Sequence, residues 1–185
     1  MKKKILVFSL SLFLIFPLLF SDEIENKIYE ALDLIKKKQN DDAFVVLLDA
    51  LMMIQNRKPF GIKNIALCGV VNGYRDYLEM SRPVLKTGEV FLLYIEPEGY
   101  QIKKNESKYI IWISEDVSVK NKKGKVIFEK KDWVESKKSY YTSTIPFYIT
   151  NRITDIPRGE YTYTITLKDH FRNTFYTETF EFVVE

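Results

Sequence analysis

The chain has 185 residues, of which 46% are hydrophobic and 15% aromatic, and this aromatic content excludes intrinsic disorder for most of its length. Its formal net charge of +3 comes from 28 basic and 25 acidic residues, but three of the lysines stand at positions 2–4. The rest of the chain has 25 residues of each sign, so it lacks the basic excess that favours binding to nucleic acids.

The N-terminus has the pattern of a secretory signal peptide. The lysines at 2–4 precede an apolar run at 5–20, and Ser21 and Asp22 begin a polar sequence. The run has 16 residues, about 24 Å as a helix, which is shorter than the ~30 Å hydrocarbon core of a bilayer. We therefore predict residues 1–21 to be a signal peptide cleaved after Ser21. The mature protein is then periplasmic or secreted and not stably inserted in a membrane, whereas a retained N-terminal anchor is the alternative.

Residues 22–57 are predicted to form a helical hairpin, two helices joined by a short polar connection. Asp22 and Glu25 can cap the first helix, and Asp41 or Asp42 can cap the second. Each helix carries an apolar stripe at helical spacing. The stripes consist of Ile24, Ile28, Leu32 and Ile35 in the first helix and of Phe44, Leu47, Leu48, Leu51 and Ile54 in the second. Because an isolated hairpin cannot bury both stripes, we expect them to pack against the domain that follows.

Residues 58–185 are predicted to form a seven-stranded, immunoglobulin-like antiparallel β-sandwich, so the whole fold is mainly β with an α-helical appendage. Beyond Pro59 the hydrophobic period changes to two, and turn signals separate the apolar segments with no helix between them. Pro146 indicates that the fifth segment is an edge strand or contains a bulge. The lysine-rich segment 120–131 is interpreted as a solvent-exposed sheet edge whose lysines prevent aggregation. The alternative is a surface that binds an anionic partner. The predicted strands are 63–72, 89–96, 108–120, 125–133, 139–150, 160–168 and 175–184.

The residue types that most enzyme sites need are missing. His170 is the only histidine, so a zinc site with several imidazoles is impossible, and no Gly-x-Ser-x-Gly elbow accompanies it. The seven glycines form no phosphate-binding loop or dinucleotide fingerprint. Cys68 is the only cysteine and lies in an apolar run, which indicates a buried thiol and excludes an intramolecular disulfide. We predict a noncatalytic protein without a cofactor or a metal site; whether Glu96, Glu98 or Asp169 binds a cation stays open.

Pro157, Gly159 and Tyr161 lie in a Pro-Arg-Gly-Glu-Tyr segment that resembles the Pro-x-Gly-x-Tyr element of bacterial immunoglobulin-like sandwiches. In that element a tight turn leads into a late strand, and the tyrosine hydroxyl bonds to nearby backbone. The resemblance implies that Tyr161 is a tyrosine-corner residue and that Pro157 and Gly159 shape the turn before it, so that all three are structural.

A second resemblance rests on three segments of the sequence. They are Gly73 with Tyr74, residues 86–89 and residues 93–100. Together with the helical hairpin, these segments are similar to a family of uncharacterised bacterial exported proteins that carry a short helical N-terminus ahead of one immunoglobulin-like β-sandwich. The resemblance implies the same fold for this chain. It brings no established activity and no catalytic residue.

The connection at 73–83 is the best candidate for a recognition surface. It is dense in the residue types that are enriched at interfaces, and loops on a rigid scaffold are common binding sites. The candidate partner-binding residues are Tyr74, Arg75, Tyr77 and Arg82. In the alternative interpretation, Tyr74 and Tyr77 fold down to cap the end of the sandwich and Arg75 pairs with Asp76 at the surface.

These observations favour a noncatalytic, exported binding or scaffolding module of the bacterial cell envelope. It would bind its protein partner through the 73–83 loop, the helical hairpin or a free sheet edge, with 139–150 as the favoured edge. The oligomeric state is left open. The alternative function is a glycan-binding or carbohydrate-active sandwich, which requires exposed, coplanar aromatic rings beside acidic residues. Its candidate residues are Tyr94, Tyr100 and Trp112 with Glu96 and Glu98.

Overall fold

The structure, a computed structural model, describes residues 22–185, so the predicted signal peptide lies outside the described residues. Two helices precede ten strands in this part of the chain. The chain divides into two compact units, of which the first ends at Ala50 and the second begins at Leu51. The division falls within the second helix rather than at the predicted boundary after residue 57.

The first helix, α1, spans Glu23–Lys36 and the second, α2, spans Asn40–Arg57. α1 begins where the carboxylate of Asp22 accepts a hydrogen bond from the backbone N–H of Ile24 at 3.1 Å, which satisfies a donor that the first turn cannot pair. It ends just before Lys38, whose φ of 62° turns the chain away from the helix axis. Within the described residues, no helix is long and apolar enough to cross a membrane.

The ten strands form two sheets. The strands are β1 (Gly61–Gly73), β2 (Asp76–Glu79), β3 (Val84–Leu85), β4 (Phe91–Glu98), β5 (Lys103–Asn105), β6 (Lys108–Asn121), β7 (Val126–Tyr140), β8 (Ile149–Ile153), β9 (Gly159–Asp169) and β10 (Thr174–Val184). A four-stranded sheet has the order β2-β1-β4-β8. A six-stranded sheet has the order β3-β10-β9-β6, and both β5 and β7 pair with β6. β3 pairs with β10 in parallel, and the other pairs are antiparallel.

The two sheets pack face to face around an aromatic and aliphatic core. Phe91 on β4 lies 5.3 Å from Tyr163 on β9 and 4.5 Å from Phe182 on β10, measured between ring centroids. Every second residue of β9 from Tyr161 to Asp169 is buried, as expected when one face of a strand points into a core. The predicted β-sandwich, mainly β with an α-helical appendage, is confirmed.

The strands differ from the prediction in number and in one position. β2, β3 and β5 have only four, two and three residues, too few to produce a hydrophobic period. The predicted strand at 139–150 is wrong, because β7 ends at Tyr140 and β8 begins only at Ile149. Pro146, which has no N–H to donate, lies in the irregular stretch between them. The sheet edges are formed instead by β2 and β8 in one sheet and by β3 and β7 in the other.

The turn before β9 has the geometry of a tyrosine corner. The hydroxyl of Tyr161 donates a hydrogen bond to the carbonyl oxygen of Pro157 at 2.7 Å. Gly159 lies beneath this ring with a φ of 156°, and a Cβ atom at that position would stand 3.1 Å from the Tyr161 hydroxyl. A side chain at 159 would therefore crowd the tyrosine that closes the turn.

Candidate functional site

The most polar cluster among the predicted site residues surrounds Glu96 on β4. Glu96 is only 5% exposed, and its carboxylate accepts hydrogen bonds from Arg75 Nε at 3.2 and 3.1 Å and from Arg75 Nη2 at 2.5 Å. The Tyr74 hydroxyl donates to Glu96 Oε1 at 3.1 Å, and Lys63 Nζ lies 3.6 Å from the same oxygen. The hydrogen bonds from Arg75 hold the pKa of Glu96 below its usual value despite burial.

The turn between β1 and β2 carries Arg75 into this cluster. Gly73 pairs with Asp76 across the turn, and Arg75 itself adopts a φ of 58°, which is uncommon for a residue with a side chain. Its backbone N–H donates to the hydroxyl of Tyr94 at 3.1 Å. Arg75 is thus fixed at its backbone by Tyr94 and at its guanidinium by Glu96.

Beside the Glu96 cluster, the outer face of the four-stranded sheet forms a small second core. Ala66, Cys68 and Tyr94 are buried there, and the ring of Tyr77 stacks on Tyr94 with centroids 4.3 Å apart. The Tyr77 hydroxyl accepts a hydrogen bond from Asn64 Nδ2 at 2.7 Å. Burial raises the pKa of the Cys68 thiol, in line with the predicted unreactive cysteine.

Three of the four predicted partner-binding residues therefore meet at one place and contact their own chain. Tyr74 and Tyr77 fold down onto the outer face of the sheet, whereas the alternative interpretation placed them over the end of the sandwich. That interpretation is wrong about Arg75, which pairs with Glu96 and not with Asp76. Arg82 is exposed and takes no part in the cluster. A recognition role for the 73–83 loop stays a prediction.

An open cleft of about 470 Å³ lies beside Arg75 and Glu96 within the second unit. Its apolar wall includes Ile54 and Ile145, and Lys63 stands on the polar side. Buried Tyr100 also lines the cleft, and its hydroxyl donates to the carbonyl oxygen of Ile145 at 3.0 Å.

The predicted glycan-binding arrangement of Tyr94, Tyr100 and Trp112 is not formed. Tyr94 is fully buried and Tyr100 is 5% exposed. Trp112 belongs to β6 in the opposite sheet, where its ring stacks on His170 at 4.5 Å and its Nε1 donates to Glu135 at 2.7 Å. These three rings therefore form no common exposed platform beside Glu96 or Glu98.

A hydrogen-bond network around Ser114 was not predicted. Ser114 Oγ lies 2.8 Å from His170 Nε2 and 3.0 Å from Asp132 Oδ1, and Lys168 Nζ bridges Asp132 and Asp116 at 2.9 and 2.7 Å. A hydrolase triad places the histidine between serine and carboxylate, whereas here the serine stands between them and is only 1% exposed. The network instead fastens β6 to β7 and β9 near the bulge after Glu115.

The predicted carboxylates are not assembled into a cation site. Asp169 is buried and accepts hydrogen bonds from the backbone N–H groups of Gln101 at 2.7 Å and Phe171 at 2.9 Å. Glu96 is engaged by Arg75 and Tyr74, as described above. Among residues 22–185, no group of three or more His, Cys, Asp or Glu side chains is placed to hold a metal ion.

A second buried carboxylate, Glu115, lies in the interior of the sandwich. Glu115 is fully buried, and its Oε2 accepts a hydrogen bond from Asn151 Nδ2 at 3.2 Å, while the same amide nitrogen lies 2.5 Å from the Tyr163 hydroxyl. Within the described chain, Glu115 Oε1 and Asn151 Oδ1 have no hydrogen-bond partner. Burial raises the pKa of Glu115 to about 7.

The helices expose most of the residues in the apolar stripes that the sequence predicted to be buried, whereas Ile24 and Leu48 of those stripes are buried. On α1, Ile28 is 40% exposed and Leu32 and Ile35 are 47% exposed. On α2, Phe44 is 62% and Leu47 38% exposed, and Leu51 and Ile54 continue the row at 44% and 43%. The buried residues of the two helices are Ile24, Ala31, Ala43, Val46, Leu48 and Ala50. We call the row Ile28, Leu32 and Ile35 the α1 stripe and the row Phe44 and Leu47 the α2 stripe.

Comparison with known proteins adds no family to this description. A scan against models of known protein families finds no match, and a search of curated proteins finds none either. Among solved structures, superoxide reductase (neelaredoxin) from Ignicoccus hospitalis is 10% identical, with a TM-score of 0.33 over 67% of this chain and 82% of that one. The CARDB domain of a Pyrococcus furiosus protein, in complex with di-metal ions, is 13% identical, with a TM-score of 0.28 over 68% and 85%. These values are too low to transfer an activity, a ligand or a metal to this chain.

Proposed function

We propose that the protein is a noncatalytic, exported binding module of the bacterial cell envelope that recognises a protein partner through the α1 and α2 stripes. The observation that carries the proposal is the exposure of these large apolar side chains, which lie between 38% and 62% open to solvent. Exposed apolar rows of this kind mark interaction sites, because water contact with them is unfavourable.

The spacing of the exposed residues favours a helical partner. Ile28, Leu32 and Ile35 are separated by four and three positions, and Phe44 and Leu47 by three. This is the spacing of the narrow seam along which two helices interlock their side chains. A helix from a partner protein would cover such a seam along its length.

The other two predicted surfaces have weaker support. In the 73–83 loop, Tyr74, Arg75 and Tyr77 are occupied by contacts within their own chain. The long edge strand β7 is mostly exposed and rich in lysine and glutamate, a composition that discourages strand addition at an edge.

Site-directed photo-crosslinking in the envelope of the native host tests the proposal. A photoreactive residue at Leu32 should give a discrete adduct with one protein, identified by mass spectrometry. The same residue at Phe175, which is 72% exposed on β10, is the matched control and should give none. Ile28→Glu should suppress the Leu32 adduct. If position 32 gives no protein adduct, or one that Ile28→Glu leaves unchanged, the proposal is wrong.

Export is tested separately. The proposal that the mature chain is periplasmic or secreted rests on the lysines at 2–4, the apolar run and Ser21. Fractionation of host cells should recover the protein outside the cytoplasm, and N-terminal sequencing should read Asp22 first. A full-length cytoplasmic chain would contradict export without deciding whether the stripes bind a partner.

A further inference from the structure

The charges of α1 are divided between its two ends. Two ion pairs lie along α1 and at its C-cap, with Lys27 Nζ 3.0 Å from Glu30 Oε2 and Lys37 Nζ 2.6 Å from Asp33 Oδ2. The remaining charges are acidic at the N-terminal end and basic at the C-terminal end. They are Glu23 and Glu25 at one end and Lys36 at the other, followed by Lys38 just beyond the helix.

An antiparallel copy of the same helix is complementary to this pattern. A second α1 rotated by about 180° runs antiparallel to the first. Its basic end then lies opposite the acidic end of the first helix, and its acidic end lies opposite the basic end of the first. The α1 stripe matches itself in the same operation, since Ile28 of one copy comes opposite Ile35 of the other with Leu32 at the centre. The contact would run along a helix of 14 residues, about 21 Å.

We infer that the partner at the α1 stripe is a second copy of this chain, packed with its α1 antiparallel to the first about a two-fold axis. This inference rests on the proposed function, because it names the occupant of the same surface. A two-fold interface uses one patch twice, and the patch must therefore be complementary to itself. The apolar seam supplies the burial, and the charged ends set the antiparallel direction.

A lipid surface fits the stripe less well. Residues 23–38 carry four acidic and four basic side chains, so they offer no net attraction to anionic lipid headgroups. A helix that lies on a membrane typically has a basic polar face, whereas the acidic residues of α1 would face the same headgroups.

The test uses the purified mature chain, residues 22–185, and two charge-reversed variants. One variant carries Glu23→Lys and Glu25→Lys, and the other carries Lys36→Glu and Lys38→Glu. Sedimentation velocity over a concentration series should find a dimer of the unmodified chain. Each variant alone should associate roughly tenfold or more weakly, because its ends repel those of its own copy. An equimolar mixture of the two should recover the dimer at the affinity of the unmodified chain.

The mixture separates docking from helix stability. The end charges also suit the α1 dipole, but a helix weakened by charge reversal would not be rescued by mixing two weakened chains. A mixture much tighter than the unmodified chain would indicate parallel helices and contradict the antiparallel geometry. A monomer at ~100 µM under all conditions would overturn the second copy as partner.

The same experiments distinguish failure of this inference from failure of the proposed function. If the chain is monomeric and the Leu32 adduct is a different protein, only the second copy is wrong. If Leu32 yields no protein adduct and the chain floats with phosphatidylglycerol–phosphatidylethanolamine vesicles unless Leu32→Glu is introduced, the occupant is lipid. Both the inference and the proposed function then fail.

Discussion

Two regions of the sandwich each hold a carboxylate away from water, one on the outer face of the four-stranded sheet and one in the interior. Glu96 lies in the outer region with Arg75 and Tyr74 as donors, and its pKa is lowered. Glu115 lies in the interior with one hydrogen bond from Asn151, and its pKa is raised to about 7. Burial disfavours the charged form in both, so the presence of a cation decides the direction of the shift.

The largest effect is expected from Glu115→Gln, which removes the interior charge. The folded state holds the Glu115 proton more tightly than the unfolded chain, so its contribution to the free energy of unfolding falls as the pH rises from 4.5 to about 7. One pKa unit corresponds to about 1.4 kcal/mol, and we expect the variant to be more stable at pH 8 by about 2–3 kcal/mol. Urea unfolding at pH 5 and pH 8 measures the difference, with Glu129→Gln on exposed β7 as control. Equal stability of variant and wild type at pH 8 would contradict the raised pKa.

A smaller effect of opposite sign is expected from Glu96→Gln. The contribution of the Glu96 carboxylate is present above its ordinary value of 4.5 and is lost as the pH falls through its lowered pKa. We expect the variant to lose about 1–2 kcal/mol at pH 7, since the half-exposed guanidinium weakens the pair. The loss should become smaller as the pH falls below 4.5 and through the lowered pKa. Glu98→Gln, two positions further along β4, is the matched control, and a loss that does not depend on pH would show that the charge is unimportant.

Tyr161→Phe probes a hydroxyl on the interior side. Its hydrogen bond to the carbonyl oxygen of Pro157 closes the turn before β9, so we expect a loss of about 0.5–1.5 kcal/mol in thermal or urea unfolding. An unchanged unfolding curve would show that the turn keeps its shape without the hydroxyl.

Tyr77→Phe is the corresponding hydroxyl deletion on the outer face and should have the smallest effect. Its hydroxyl accepts from Asn64, but Tyr77 is only partly buried, and water can replace the lost acceptor. We expect a loss of at most about 0.5 kcal/mol in the same unfolding experiment. A loss as large as that of Tyr161→Phe would mean that the hydroxyl on the outer face contributes as much to stability as the one on the interior side.

Sequence patterns predicted the fold where the pattern is local. The alternation of β9 and the turn before it are visible in a dozen consecutive residues, and both agree with the structure. β3 has two residues and pairs with β10 far along the chain, so no local period reveals it. The irregular stretch after Tyr140 has the composition of a strand but lacks a continuous row of backbone partners.

The candidate site was predicted less well. It depends on which strands pair and on whether other parts of a protein cover the apolar faces of the helices. Tyr74, Arg75 and Tyr77 were recognised by residue type, but the partner of Arg75 stands 21 positions away on another strand. Only the pairing of β1 with β4 brings the two together. Helical periodicity likewise identified the stripe residues on α1 and α2. It reports that a face is apolar and carries no information about whether anything covers it.

The parallel pairing of β3 with β10 has a consequence for biogenesis. Val84 and Val183 are 99 residues apart and neighbours in the six-stranded sheet, so this sheet stays unfinished until β10 has left the ribosome. Contacts of such high sequence separation make folding slow, because the long loop must close before the pairing stabilises it. For the export that we propose, a chain that crosses the membrane unfolded would gain from this delay, because the sandwich would be completed after translocation and not before.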